Sequence, residues 1–373
     1  MGFAPLPTCY DTLSPLFHAQ YALVEEIGVG GSGFVLKVQR RSNGEFFAAK
    51  VIAKDRVSRQ TLVRTRSWGS VPPGFELDEQ DALVVPAEAY VLRKMRHPGV
   101  CGFIDLFADD RFFYLILEYH GASVQASNPP KPMLPPSPPI SPLSACVPLA
   151  PTASGEGSAL PSPALPTFAG TPASLLPAAS PLTPTNPPPP PMMRRTSSDL
   201  FDWVERQRHF SEGIARYIFY QLVNTACDLA QMGVLHRDWK DENVCIDERL
   251  RVKLVDFGSV VIFDPAGPAP IQYEKRFYGT CTYASPEVFG GGAYAMLPAE
   301  VWSLGVLLHV LLTGENPFLS PADAIAGKRI QTKVVLSATA QDLLDRCLAV
   351  RLDERIQLED MRHHPWVSGQ WAV

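Results

Sequence analysis

Three short stretches near the N-terminus, residues 21–28, 34–38 and 45–51, carry the apolar and β-branched positions of strands. Ser42-Asn43-Gly44 supplies a hairpin turn between the last two. Residues 86–95 read as a helix that stops before His97-Pro98, because the residue preceding a proline is driven out of the helical region. Two further strands, 103–107 and 112–118, flank a turn at Asp109-Asp110. Beyond residue 199 the pattern becomes helical, over 200–207, 212–232, 299–312, 338–348 and 358–362, with short strands at 244–246 and 252–254. The expectation is an α+β chain. A small unit of five strands and one main helix precedes a larger, mainly helical unit, with a cleft between them.

Composition interrupts this pattern once. Between residues 122 and 193 lie 22 of the chain's 37 prolines, and the only charges there are Lys131 and Glu156. Few backbone donors and little apolar periodicity leave nothing to offset the entropy of ordering, so this stretch reads as a disordered, Pro/Ser-rich insert within one domain. The net charge of -5 argues against a nucleic-acid binder. Seven scattered cysteines without a Cys-x-x-Cys pair point to reduced thiols inside the cell. The longest apolar run, 301–312, is too short to span a bilayer. The N-terminus lacks the order of a signal peptide, and Leu6 disfavours myristoylation of Gly2.

The chemistry concentrates in a few motifs. His236-Arg237-Asp238-Trp239-Lys240-Asp241-Glu242-Asn243 is followed thirteen residues later by Asp256-Phe257-Gly258. An aspartate, a lysine two residues on and an asparagine three beyond suit a phosphoryl-transfer loop, and a second aspartate on a tight turn suits a metal ion. Gly28-Val29-Gly30-Gly31-Ser32-Gly33-Phe34-Val35 joins two strands, so its backbone N–H groups can approach a triphosphate closely. Because no helix follows, a dinucleotide site is disfavoured. Lys50 ends Ala48-Ala49-Lys50 on the third strand and needs a counter-ion, for which Glu88 on the following helix is the natural partner.

Read together, these segments resemble the protein-kinase family, over about residues 19–121 and 199–367. Lys240 resembles the serine/threonine type. The Lys-Asp-Glu-Asn run at 240–243, Asp199-Leu200-Phe201-Asp202, Asp256-Phe257-Gly258-Ser259 and His364-Pro365-Trp366 look like the Pim and PAS-kinase branch of the calmodulin-dependent kinase group. The resemblance implies a bilobal protein-kinase fold, divided into an extension (1–18), the smaller lobe and hinge (19–121), the insert (122–198), the larger lobe (199–367) and a tail (368–373). It implies ATP and Mg2+ as cofactors. Asp238, Lys240 and Lys50 would be catalytic, and Asn243 and Asp256 metal ligands. Nucleotide contacts would come from Gly28, Val29, Gly30, Gly31, Ser32, Gly33, Val35, Ala48, Lys50, Glu88, Leu117, Glu118, His120 and Cys245. Asp199, Asp202, Glu242 and Thr280 would bind a protein substrate with basic residues upstream of its acceptor. The alternative for Asp199 and Asp202 is that they cap the helix and favour its dipole. His236 reads as a packed structural histidine, and Glu287 is expected to pair with Arg355. Trp302-Ser303-Leu304-Gly305 fits the central helix of the larger lobe, and Glu300 stands where most relatives have Asp.

Two other readings stay open. One is a kinase-fold scaffold, which loss of Lys50, Asp238, Asn243 or Asp256 would favour; all four are present. The other is recruitment of an SH3- or WW-type partner by the proline run 187–191, which is compatible with catalysis. A cytoplasmic monomer, with the nucleus as a second compartment, is the remaining expectation.

Overall fold

The computed structural model describes residues 13–30, 33–121, 199–265, 273–274 and 277–369. Gly31, Ser32 and the proline-rich stretch 122–198 lie outside the described residues, as do residues 1–12, 266–272, 275–276 and 370–373. A short helix, α1 (Pro15–Gln20), leads into β1 (Tyr21–Gly30), β2 (Gly33–Arg40) and β3 (Phe46–Ala53). Then follow β4 (Leu62–Thr65), β5 (Leu83–Pro86), α2 (Ala87–Lys94), β6 (Phe103–Ala108) and β7 (Phe112–Glu118). The five expected strands form one antiparallel sheet in the order β1-β2-β3-β7-β6. The first three extend beyond one or both of their expected ends, because ladder pairing continues through residues such as Gln39 and Arg40 whose side chains give no apolar signal.

One face of this sheet holds an aromatic cluster of Phe17, Tyr21, Phe107 and Tyr114. The Phe107 and Tyr114 rings stack with centroids 4.9 Å apart. Phe17 enters from α1, whose start is set by Ser14 accepting from the Leu16 N–H. The Ser14 N–H donates to the Tyr114 hydroxyl at 2.9 Å, and that hydroxyl donates to Asp109 at 2.5 Å. Residues 13–18, read from sequence as extension, thus pack into the small-lobe core.

Residues 54–85 carry no element in the sequence reading, and the structure places a second, two-stranded sheet there, β4 against β5. Strands of four residues are too short to show a period. What fixes them is tertiary. Trp68, in the loop between them, is 6% exposed, with the Arg93 guanidinium 4.7 Å above its ring. Arg93 also donates to the Trp68 carbonyl at 2.7 Å, tying the hairpin to α2.

The larger unit begins with α3 (Leu200–Gln207), α4 (Glu212–Gln231) and the short strands β8 (Val234–Leu235), β9 (Val244–Ile246), β10 (Val252–Leu254), β11 (Val261–Ile262) and β12 (Tyr273–Glu274). It continues with α5 (Pro286–Phe289), β13 (Tyr294–Ala295), α6 (Met296–Thr313), α7 (Pro321–Ile325), α8 (Ala338–Cys347), α9 (Leu358–His363) and α10 (Pro365–Ser368). Helix α6 starts three residues before its expected start, with Pro298 in its first turn, where a missing N–H leaves no bond unmade. Among the described residues α6 alone is long and apolar enough to cross a membrane, yet 83% of it is buried inside the fold. It is a core helix, apolar all round because other elements surround it. It ends at Gly314 (φ +78), where a Cβ would lie 1.8 Å from the Arg208 carbonyl oxygen. The expected pair of Arg355 and Glu287 is present, with bonds of 2.7 and 3.0 Å.

The hairpin's role generates a stability prediction. Trp68→Ala should cost about 3–5 kcal/mol, the usual loss for truncating a buried aromatic. Chemical denaturation followed by tryptophan fluorescence measures it, and a loss below about 1 kcal/mol would mean the hairpin is peripheral.

Candidate active site

Lys50 lies on β3, paired with Val35 of β2 and Leu115 of β7. Its ammonium reaches across the cleft between the two units. It donates to Glu88 of α2 at 2.7 and 3.0 Å and to Asp256 at 2.6 Å. Glu88 is 3% exposed and also accepts the Phe257 N–H at 3.1 Å, so α2 and the Asp256 turn share one carboxylate. Burial favours neutral Lys50, but the Asp256 and Glu88 charges outweigh it and raise its pKa. The Lys50 charge, in turn, holds Asp256 well below the usual carboxylate range against its own burial. Burial is the largest influence on Glu88 and raises its pKa, with Lys50 opposing. Asp256 has φ +60 and ψ +74, a left-handed conformation that an aspartate tolerates by bonding locally. Its carboxylate accepts from the Gly258 N–H at 3.1 Å.

The second cluster surrounds Asp238. One carboxylate oxygen accepts from the backbone N–H and the hydroxyl of Thr280, both at 2.9 Å. The other accepts from the Asn243 amide at 2.8 Å and lies 3.2 Å from the Lys240 ammonium. Lys240 also donates to the Thr280 hydroxyl at 2.9 Å and lies 3.3 Å from Glu242. Burial pulls the Lys240 pKa down, and Asp238 and Glu242 more than reverse it. His236 is buried and packed: Nε2 donates to the Val255 carbonyl at 3.0 Å, and Nδ1 accepts from the Asp238 N–H at 3.3 Å. Those two bonds fit a neutral ring, and burial lowers its pKa accordingly. Beneath the loop, Glu300 of α6 accepts from the Arg237 N–H and, at 2.8 Å, from the Trp239 indole. Burial pushes the Glu300 carboxyl up to about 7, opposed by those donors.

The sheet brings several expected nucleotide residues together by register. Gly28 faces Val35, Val35 faces Lys50, and Ala48 faces Leu117. At Gly33 a Cβ would sit 1.8 Å from the Val51 carbonyl oxygen, so glycine is required there. Val29 is 54% exposed, open toward a ligand or solvent. Gly31 and Ser32 lie outside the described residues. The Glu118 carboxylate is held by Lys253 at 2.7 Å and the Gly102 N–H at 3.1 Å, and its own N–H donates to the Gly102 carbonyl at 2.8 Å. The His120 ring donates to the Arg251 carbonyl at 3.1 Å, and half-buried Cys245 pairs with Lys253 on β9–β10.

Of the acidic residues expected to meet substrate, Asp199 caps α3, accepting from the Asp202 N–H at 3.0 Å. Asp199 and Asp202 are buried, whereas Glu242 is exposed. A cavity of about 490 Å³ opens beside Glu242, lined also by Lys240, Thr280, Glu205 and Arg208. Sequence reasoning missed Glu205. It is exposed on α3 and lines the cavity, whereas Asp202 three residues before it is buried and does not.

Asn243 and Asp256 would suit a hard divalent cation. The Asn243 amide nitrogen is engaged with the Asp238 carbonyl and carboxylate, both at 2.8 Å, which leaves its oxygen as the ligand atom. Asp256 is 49% exposed in its side chain and retains a carboxylate oxygen beyond the one bonded to Lys50. The Val255 N–H bond to the Asn243 carbonyl, 2.9 Å, holds the two segments side by side. No cluster of three or more His, Cys, Asp or Glu suited to a metal occurs among the described residues. Two oxygen ligands fit magnesium, which keeps waters and phosphate oxygens as its remaining partners.

Comparison with known proteins agrees with this geometry. A profile of the protein kinase domain matches residues 21–127 and 192–367, and the chain belongs to the protein kinase family. It is 36% identical over 173 residues to serine/threonine-protein kinase PSK2 of Saccharomyces cerevisiae, covering 46% of this chain and 15% of that protein. It is 38% identical over 176 residues to serine/threonine-protein kinase prk-2 of Caenorhabditis elegans, covering 46% and 38%. With the PAS domain-containing serine/threonine-protein kinase of Mus musculus it shares 25% identity over 362 residues, covering 96% and 18%. The chain thus spans well under half the length of each of these relatives.

Asn243→Ala removes the donor to both the Asp238 carbonyl and its carboxylate. The expected cost is about 1 kcal/mol of stability, the net worth of the lost bonds, since Lys240 stays 3.2 Å from the same carboxylate oxygen. A melting curve unchanged from the parent would show that these bonds do not hold the loop.

Proposed function

We propose that this chain transfers the γ-phosphoryl group of ATP to serine or threonine hydroxyls of proteins. The observation that carries the reading is the pairing of the two clusters, with Lys50 bound to Glu88 and Asp256 beside an Asp238 carboxylate held by Thr280, Asn243 and Lys240. In this reading Lys50, oriented by Glu88, binds the α- and β-phosphates. Asp238 orients the acceptor hydroxyl and takes its proton as the oxygen bonds to the γ-phosphorus. The bond to the β–γ bridging oxygen breaks, and ADP leaves. Lys240 offsets the negative charge on the transferred group. Magnesium, when held by Asn243 and Asp256, neutralises phosphate charge. Such reactions depend on positioning and electrostatics more than on covalent chemistry of the protein.

Lys50→Met and Asp238→Asn should each lower turnover by about two orders of magnitude or more, and Lys50→Met should also melt earlier because buried Glu88 loses its partner. Near-parental turnover in either purified, folded variant would remove the role given to that residue.

The preferred acceptor in this proposal has arginines upstream. Glu242 and Glu205 on the cavity wall support it, since a guanidinium pairs with carboxylates through two bonds at once. Peptides with Arg three and five residues before the acceptor should be the best substrates, and Glu205→Ala, which removes a carboxylate from the cavity wall, should weaken that preference. A library profile led by proline after the acceptor, or by acidic residues, would count against it. We further propose a monomer of the cytoplasm and nucleus, divided as the sequence reading has it, with the proline-rich insert open to an SH3- or WW-type partner.

A further inference from the structure

The residue between Asp238 and Lys240 is a tryptophan, and it is fully buried. Its indole N–H donates to one oxygen of Glu300 at 2.8 Å, and the other oxygen of Glu300 accepts the backbone N–H of Arg237. One carboxylate on α6 therefore grips the chain on both sides of Asp238. The grip falls where the backbone is least relaxed: Arg237 has φ +67, a left-handed conformation rare for a residue with a side chain. Trp239 also packs against His236, with ring centroids 5.6 Å apart, and His236 meets the Phe257 ring at 4.7 Å. Glu300 is 4% exposed, so any oxygen that lost its donor would stay buried without one.

We propose that Trp239, through its indole bond to Glu300, is a positioning residue for Asp238. This rests on the phosphoryl-transfer reading of the site. The indole does not touch substrate. It fixes where the carboxylate of Glu300 sits, and that carboxylate fixes the Arg237 peptide whose left-handed turn aims Asp238. Any buried indole N–H calls for an acceptor, and here the acceptor is the carboxylate that also holds the Arg237 peptide. The length of the acid matters as well. Shortening Glu300 by one methylene withdraws the carboxylate, so that it can serve the Arg237 N–H or the indole but not both.

The test is a cycle of Trp239→Phe, Glu300→Asp and the double variant, assayed for peptide phosphorylation with purified full-length chain. Trp239→Phe keeps most of the buried area and removes only the donor. Its kcat should fall about tenfold with KM for ATP and peptide within about twofold, as expected when only the reacting geometry loosens. Glu300→Asp should cost about tenfold in the parent but under about threefold when Trp239→Phe is already present, because the second arm is no longer needed. In the parent, the Trp239 indole proton resonance should lie downfield and move when Glu300→Gln is introduced. An unchanged kcat in Trp239→Phe overturns the proposal, as does full additivity in the cycle. If Glu300→Asp does not fold, the Trp239→Phe kinetics and the indole resonance decide alone. A parent without any phosphoryl transfer would defeat the functional reading instead, and the indole resonance would still report whether the bond exists.

Discussion

The site is organised around one ammonium, that of Lys50, whose side chain is 12% exposed. Lys50 sits between Glu88 of the smaller lobe and Asp256 of the larger, at 2.7 and 2.6 Å. Glu88 is deep enough that losing its partner would strand a charge in the interior, so the pair constrains where α2 can lie. The β4–β5 hairpin, through Trp68 and Arg93, presses α2 from the other side. Asp256 transmits the same constraint to the larger lobe, where its neighbour Phe257 donates back to Glu88. The two negative charges around one positive charge also favour a further cation at half-exposed Asp256.

Much of this was legible in the sequence, for a physical reason. Phosphoryl transfer needs particular side chains at contiguous positions, so the loop at 236–243 and the turn at 256–258 announce themselves locally. Long strands and helices were also readable, because burial imposes a period on them. Lys50 and Glu88, 38 residues apart, were paired by the lysine's need for a counter-ion, and the family resemblance added what the pair would do. The structure then supplies their distance.

What escaped the sequence shares one property: it is fixed by tertiary contact. Strands β4 and β5 are four residues each and are held by a tryptophan in the loop between them. Helix α1 exists because Phe17 completes an aromatic cluster contributed by β1, β6 and β7. Trp239 and Glu300 lie 61 residues apart, and no pattern in either segment points to the other. The acidic residues at the start of α3 had two readings, and the cap is visible at Asp199. Glu205 lines the neighbouring cavity. Two residues before Thr280 the Tyr278 ring lies 4.9 Å from the Arg237 guanidinium, and the Ser259 hydroxyl donates to the Tyr278 carbonyl at 3.1 Å. The first contact ties Tyr278 to the loop that carries Asp238, and the second ties it to the turn that carries Asp256.

The most direct measurement is transfer of radiolabel from γ-labelled ATP to a basic peptide, in the presence of magnesium, by the purified chain and by Asp256→Ala. The account predicts clear incorporation by the parent and none above background by the variant, with both folded. Incorporation at parental levels by Asp256→Ala would contradict the role of the Lys50–Asp256 contact. A folded parent that transfers no label to any peptide would make the chain a kinase-fold scaffold rather than an enzyme.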